Sequence, residues 1–459
     1  MDTPKKNDVV TLKISGYGSD AAGISRLEDG RVVFVKGALD GETCQVQLLK
    51  VGKSAVWGRA VETKTDSAAR QTSDCSYYPC CGGCQTRHMT YEEELRFKKS
   101  RVEEALRRIG GVESAVVTEI YGASQPLRYR NKVQFPVSSA QEGIHIGFYR
   151  QRSHDVIDVD DCLLQPQEAT RLRAAVKQWM QECGVQPYDE LRHKGLVRHV
   201  FVRTNRDGKS LCAIVANGKK LPQEARLVNL LQEAEPALQG IVLSINREKT
   251  NVILGKHFRT IWGADTLEDT LCNLQFRLSV PSFYQVNRRQ TEVLYGKAVD
   301  MAGLTGSETV LDLYCGIGTI SLSLAQRAKQ VYGAEVVPEA VQDAWENAQR
   351  NGVENVSFFC GDAGDAAQKF AKEGIRPQVV CVDPPRKGLA PQVIDTIAEL
   401  SPERVVYVSC DPATLARDVK LFTEKGYQLQ EAIALDMFPR TVHVETCVLL
   451  SNLPLMSRI

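Results

Sequence analysis

The sequence predicts an α/β protein of three parts: a small N-terminal β-barrel, a central α+β domain and a C-terminal doubly wound parallel sheet. Three observations carry this. The run ETVLDLYCGIGT at 308–319 reads as strand, glycine turn and helix start, the opening crossover of an open parallel sheet. Four later strand-like segments end in Glu335, Asp362, Asp383 and Cys410. The first sixty residues hold only short β-rich segments between glycine turns.

Composition sets the class. Of the 459 residues, 43% are apolar and 25% charged, with a net charge of +1. That is the balance of a globular chain, and any nucleic-acid-binding surface must be local. No apolar run has the length of a membrane span, and MDTPKKNDVV has no apolar signal core. Fourteen cysteines without a leader point to a reducing cytoplasm, where thiols stay free or bind metal.

The barrel is expected over 1–63. VVTLKISG, GRVVFVKG, ETCQVQLLK and AVWGRAVETK supply four or five strands of an OB-like fold. Such barrels often bind RNA, and Lys13, Arg26, Lys36, Lys50, Lys53 and Arg59 are candidate phosphate contacts; a purely structural module fits equally.

The central domain is expected over 64–280. Cys75, Cys80, Cys81 and Cys84 lie within ten residues on a glycine-rich loop, and Cys162 follows much later. Clustered thiols bind metal, and four thiolates suit zinc or an iron–sulfur cluster. The spacing C-x5-C-x2-C with a distant fourth cysteine leans toward the cluster, leaving Cys80 over. A helix is predicted at 91–109, able to pack on the C-terminal domain. Between 128 and 154, Arg128, Arg130, Lys132, Arg150 and Arg152 face one acid, Glu142, with Tyr129, Phe135, Phe148 and Tyr149 interleaved. That pattern suits phosphates and stacked bases; solvated strands fit it as well. Further strands surround a helix at 222–233.

The C-terminal domain is expected over 281–459. PSFYQVNRRQ opens a helix, with Phe283, Gln285 and Asn287 placed like the lip of a pocket. Glu335 stands about 20 residues beyond the glycine turn, where a ribose-binding carboxylate belongs; Asp362 is placed to meet an adenine amino group. No lysine of the phosphate-binding type follows the glycines, so a nucleoside cofactor is indicated, adenosylmethionine above all. Glu445 is expected at the far edge of the loop in DMFPRTVHVE.

DLYCGIGT, VDPPRKGL, SCDPATLARD and MFPRTVHVE, in this order, resemble the uracil-5 RNA methyltransferases. The barrel and the set Cys75, Cys81, Cys84 and Cys162 resemble the bacterial 23S ribosomal RNA branch of that family, in which the barrel is a TRAM domain and the thiols hold a 4Fe-4S cluster. The resemblance implies a Rossmann-like methyltransferase domain, Cys410 as nucleophile and Glu445 as base. It implies Gln285, Tyr314, Glu335 and Asp383 as cofactor positions, with Asp362 a further one. Substrate is then a single-stranded or looped region of 23S rRNA, met by a monomer without obligate protein partner. A transfer-RNA enzyme with the same chemistry and an inactive RNA-binding iron–sulfur protein are the alternatives.

The chemistry asks for these residue types. C5 of uracil is a weak nucleophile until a thiolate adds at C6. Cysteine forms its thiolate near neutral pH and leaves again. A carboxylate then suits removal of the C5 proton. Asp383 and Gln285 fit either the uracil edge or the amino-acid end of the cofactor.

Overall fold

The computed structural model describes residues 4–113 and 117–452; the ends of the first and last predicted domains, 1–3 and 453–459, and residues 114–116 of the central one lie outside it. The barrel strands are Val9–Lys13, Gly23–Arg26, Val32–Lys36, Thr43–Val51 and Ala55–Thr65, ordered first, fourth, fifth, third, second. Closure comes from backbone bonds of 2.8 Å from Ser15 N–H to Ile24 O and from Ile24 N–H to Gly16 O. Alternation drives the fold: Leu12, Val33, Val35, Val46, Leu48 and Val56 point inward and are buried, while the six basic residues named above are exposed.

The central sheet has seven strands, ordered His257–Gly263, Leu238–Ile245, Ser210–Ala216, Val197–Thr204, Lys132–Ala140, Gly143–Tyr149 and Val156–Asp158. One neighbouring pair, Ser210–Ala216 with Leu238–Ile245, is parallel, joined through the helix Glu224–Ala234. This helix and Gln167–Glu182 bury an apolar layer around Trp179.

The third sheet positions the site. Its order is Val356–Cys360, Gln330–Glu335, Thr309–Leu313, Val379–Val382, Arg404–Ser409, Glu445–Ser451, Gln428–Leu435 and Glu119–Tyr121. The first five strands are parallel. Glu445–Ser451 runs antiparallel between its neighbours. Buried on both faces, these strands read as continuous apolar runs such as VVCV and RVVYVS.

The boundary expected at 280 is crossed by the packing. Helix Tyr91–Arg108 buries Val102 and Leu106 in the same core cluster as Leu415 and Val419 of helix Pro412–Glu424. Strand Glu119–Tyr121 pairs in parallel with Gln428–Leu435. The hairpin Thr266–Leu271 and Leu274–Ser279 pairs only with itself and is tied to helix Pro338–Arg350 by Arg277 N–H donating to Asn347 Oδ1 at 3.0 Å. The long central sheet thus interrupts elements that pack with the C-terminal one.

Candidate active site

The glycine turn follows strand Thr309–Leu313. Tyr314, Gly316 and Gly318 all take left-handed backbone, with φ of +71°, +56° and +84°. Tyrosine in that region stores strain, a common mark of a functional turn. A side chain at Gly318 would crowd Phe358 and Ala344, whereas Gly316 faces open space. Glu335 ends its strand as expected and accepts from Gly316 N–H at 3.2 Å and Val337 N–H at 3.0 Å. Beyond it Val336 and Val337 lie exposed. Asp312, inside strand Thr309–Leu313, is wholly buried. Its Oδ2 accepts from Ser321 Oγ, while Oδ1 has no hydrogen-bond partner among the described residues. Burial, with Asp383 and Glu335 nearby, pushes its carboxyl up to about 7.

The catalytic candidates converge two strands away. Cys410 follows strand Arg404–Ser409 at a tight strand-to-helix corner. There Asp411 N–H donates to Ser409 Oγ, and the Asp411 carboxylate caps the helix by accepting from Ala413 and Thr414 N–H at 2.9 and 3.0 Å. Asp383 follows strand Val379–Val382 and keeps part of its surface open. Enough protein surrounds it, even so, to raise its pKa to about 7. Glu445 stands at the far edge of the loop 436–444. It is the first residue of strand Glu445–Ser451 and is buried. Burial and then Asp383 raise its pKa to about 8, against the pull of Arg386. Burial, Glu445 and Asp383 in turn push the Cys410 thiol up to about 11, again opposed by Arg386. Arg386 and Asp383 therefore act on both the Cys410 thiol and the Glu445 carboxyl, and Glu445 acts on the thiol.

Arg386 rides on a loop fixed from beneath. Buried Asp418 accepts from Leu389 N–H at 2.8 Å and Tyr407 OH at 2.7 Å, and Arg417 donates to the carbonyls of Lys387 and Leu389. This is the structural role of the final Ala-Arg-Asp of SCDPATLARD. Sequence reasoning gave Arg386 and Asp312 no role in the site; the Arg of DPPR and the acid before the glycine turn were the available signals.

The remaining cofactor candidates divide. Tyr314 is half-buried in the turn, its hydroxyl pushed up to about 12 by burial with Asp362 and Asp418 nearby. Gln285 is half-buried, and its carbonyl accepts from Asn131 Nδ2 at 2.8 Å. Next to it Phe283 is 65% exposed, with the Lys132 ammonium 5.9 Å from its ring centre. Asp362 is exposed, and its carboxylate accepts from Gly364 N–H at 2.8 Å, the local bond of a residue opening helix Ala363–Lys372.

Cys75, Cys81, Cys84 and Cys162 line one cavity of about 160 Å³. Arg87 Nε donates to Cys84 Sγ at 3.3 Å and Gly83 N–H to Cys81 Sγ at 3.4 Å. Cys80 is exposed and outside that lining; its carbonyl accepts from Gln151 N–H. Among the described residues no group of three or more His, Cys, Asp or Glu is gathered so as to hold a metal ion.

The interleaved stretch 128–154 is corrected in part. Phe135 is core, and Phe148 packs on it with ring centres 5.3 Å apart. Tyr129 donates to Pro439 O, and Arg128 is ion-paired with Asp161. Alternation on a pleated strand put the phenylalanines inward, which a count of basic and aromatic residues does not see. Tyr149, Arg150 and Arg152 remain on the surface.

The comparisons agree with this geometry. Residues 90–453 match the family model described as tRNA (Uracil-5-)-methyltransferase, and residues 5–61 match the TRAM domain model. An uncharacterized RNA methyltransferase of Clostridium tetani is 43% identical over 448 residues, 97% of each chain. One of Clostridium acetobutylicum is 43% identical over 451 residues, 98% of each chain. Among solved structures, the tRNA (uracil-54, C5)-methyltransferase of Pyrococcus abyssi in complex with S-adenosyl-L-homocysteine has a TM-score of 0.77 and 25% identity, covering 96% of this chain and 99% of that one. The chain belongs to the adenosylmethionine-dependent RNA uracil-5-methyltransferase family, with its N-terminal barrel a TRAM domain.

Proposed function

We propose that this enzyme methylates C5 of uridine in 23S rRNA through a transient bond between Cys410 and C6. One observation carries the chemistry: Asp383, Cys410 and Glu445 stand together at one end of the three neighbouring strands Val379–Val382, Arg404–Ser409 and Glu445–Ser451. Cys410, half-buried and so still open to water, gives its proton to solvent and adds to C6 as thiolate, which leaves C5 electron-rich. Bound adenosylmethionine supplies the methyl group. Glu445 takes the C5 proton, the C5–C6 double bond re-forms and the Cys410–C6 bond breaks. Arg386 favours the thiolate, and Asp383 or Gln285 orients the uracil edge or the cofactor's amino-acid end. Three carboxyl groups, Asp312, Glu335 and Asp383, crowd the neighbouring strand ends, which suits a ligand bearing sulfonium and ammonium charges. Tyr314 lines the glycine turn, and Asp362 lies at its outer margin.

The four thiols fit a 4Fe-4S cluster held by Cys75, Cys81, Cys84 and Cys162. They surround one space without gathering on a single point, and a guanidinium and an amide already donate to two sulfurs. When bound, the cluster would cross-link distant parts of the chain. The TRAM barrel offers RNA an outward face. There Trp57 stacks with Phe34 at 6.1 Å, and Lys50 lies 5.1 Å from the indole ring. The enzyme acts as a cytoplasmic monomer, and among the described residues no helix is long and apolar enough to cross a membrane.

A transfer-RNA substrate is the second reading, favoured by the likeness to the Pyrococcus abyssi tRNA (uracil-54, C5)-methyltransferase, which matches over nearly the whole chain. Protein purified without oxygen would be given labelled adenosylmethionine with unmodified 23S rRNA and unmodified tRNA side by side. Label at C5 of uridine in 23S rRNA, lost in Cys410→Ala, is the expected result. Label confined to tRNA would replace the substrate, and no label in either RNA would refute the activity.

A further inference from the structure

The loop 436–444, which joins strand Gln428–Leu435 to Glu445, is held by elements that carry the four thiols. Its residue Arg440 has φ +69°, a conformation that a side-chain-bearing residue keeps only when its surroundings impose it. The surroundings are the residues just after Cys84. Gln85 and Thr86 N–H donate to Arg440 O at 3.0 and 3.4 Å, and Arg440 N–H donates to Glu94 Oε1 at 2.7 Å. The Arg440 guanidinium lies against Glu94 at 3.6 Å and over the Tyr91 ring. The arm bearing Cys162 reaches the same loop by another route. The Arg128 guanidinium donates to the Cys162 and Gln165 carbonyls, and Arg130 N–H donates to Leu164 O at 3.1 Å. Next to these, Tyr129 OH donates to Pro439 O at 3.2 Å, and the Arg130 guanidinium, which also lines the thiol cavity, stands 5.9 Å from the Phe438 ring centre. Three consecutive loop residues, Phe438, Pro439 and Arg440, are thus gripped by the two arms that meet at the cavity.

We infer that filling the thiol cavity positions the base: joining Cys75, Cys81 and Cys84 to Cys162 locks both arms on 438–440 and so fixes the loop that delivers Glu445. This rests on the methyltransferase and cluster readings above. Tyr129 and the 85–86 amides are positioning groups; they act through the loop and not on the uracil.

The test compares iron-loaded protein, made and kept without oxygen, with the same protein stripped of iron by a chelator and oxidant. Hydrogen exchange across 436–445 is the first readout. The second is the covalent RNA–protein adduct on ordinary uridine RNA, resolved on a denaturing gel. Iron-free protein is expected to exchange faster across 436–445 and to turn over more slowly, on the order of 10²-fold for a misplaced base. It should also accumulate the methylated adduct, because proton removal is the delayed step. Loaded Tyr129→Phe, which touches no thiol, should reproduce the effect in miniature with RNA affinity unchanged. Equal protection of 436–445 with and without iron overturns the inference, as does anaerobic protein that holds no iron. A loaded wild type unable to form the 5-fluorouridine RNA adduct would sink the methyltransferase reading instead, whatever the exchange data say.

Discussion

The glycine turn after Leu313 and the loop 436–444 lie at the same edge of one sheet, yet they are held in opposite ways. The turn is built from its own neighbourhood: Tyr314 and Cys315 N–H donate to Ala334 O, Gly318 N–H donates to Cys315 O, and Glu335 accepts from Gly316 N–H. The loop is built from afar. Lys98, Glu94 and Asp436, all fully buried, form an ion triad in which Lys98 Nζ lies 2.7 Å from Glu94 and 2.6 Å from Asp436, and also donates to Phe438 O at 3.2 Å. Tyr91 OH donates to Asp436 Oδ2 at 2.7 Å, and Arg101 donates to Val442 O. A cofactor turn made by adjacent strands forms whenever the sheet forms. A loop held by residues over three hundred positions away forms only when those distant segments have come together, which is what would open it to the proposed control by the thiol region.

Breaking the triad should give the largest effect. Lys98→Ala leaves two buried carboxyl groups without their cation, a loss of about 3–5 kcal/mol, read as a lowered denaturation midpoint. The comparison further requires that cofactor binding by the surviving folded protein stay near normal while methyl transfer falls.

Glu445→Gln keeps the shape of the proposed base and removes its proton-accepting capacity. Turnover should drop by about 10²–10⁴-fold, with methylated adduct accumulating on uridine RNA. Undiminished turnover would remove Glu445 from its role.

The pH dependence sharpens the same point. Asp383 and Glu445 have folded-state pKa values raised to about 7 and about 8. Raised carboxyl values mean that the protonated forms stabilise the fold. That contribution is complete below the ordinary carboxylate range and is lost as pH rises through 7 and 8. Wild-type melting temperature should therefore decline over this window, and Glu445→Gln should decline less. Activity should run the other way, rising as Glu445 ionises. A flat melting profile would show that these carboxyl groups are ionised at neutral pH.

The turn side should give the smaller effects. Gly316→Ala meets no neighbour but must adopt φ +56°, a cost of about 1–2 kcal/mol, expected to weaken adenosylmethionine binding while iron content and protection of 436–445 stay unchanged. Asp362→Asn should change cofactor affinity least, because its carboxylate is already engaged by Gly364 N–H.

The same contrast explains what was legible in advance. The parallel sheet, its glycine turn and the acid ending each strand follow from local pattern, and so did the positions of Glu335, Asp383 and Cys410. Spacing and the family resemblance singled out the four thiols, and the structure puts Cys80 outside the cavity that they line. What the sequence hid depends on neighbours distant in the chain: that Asp312 and Glu445 are buried carboxyl groups, that Phe135 points into a core, and that Arg440 is clamped by the residues after Cys84. Lys98 in an amphipathic helix looks like any solvated lysine until Asp436 is brought beside it.

Strand Glu119–Tyr121 carries one more consequence. Its partner lies 314 residues away, Thr118 N–H and Oγ1 both donating to Ala432 O. During synthesis this edge strand and the helix before it must wait, with Val102 and Leu106 uncovered, until helix Pro412–Glu424 and strand Gln428–Leu435 have been made. The central sheet, by contrast, is complete as soon as residue 263 has emerged. Emergence of helix Pro412–Glu424 and strand Gln428–Leu435 is therefore the event that closes this edge of the sheet, and a chain cut before them would leave helix Tyr91–Arg108 with an uncovered apolar face.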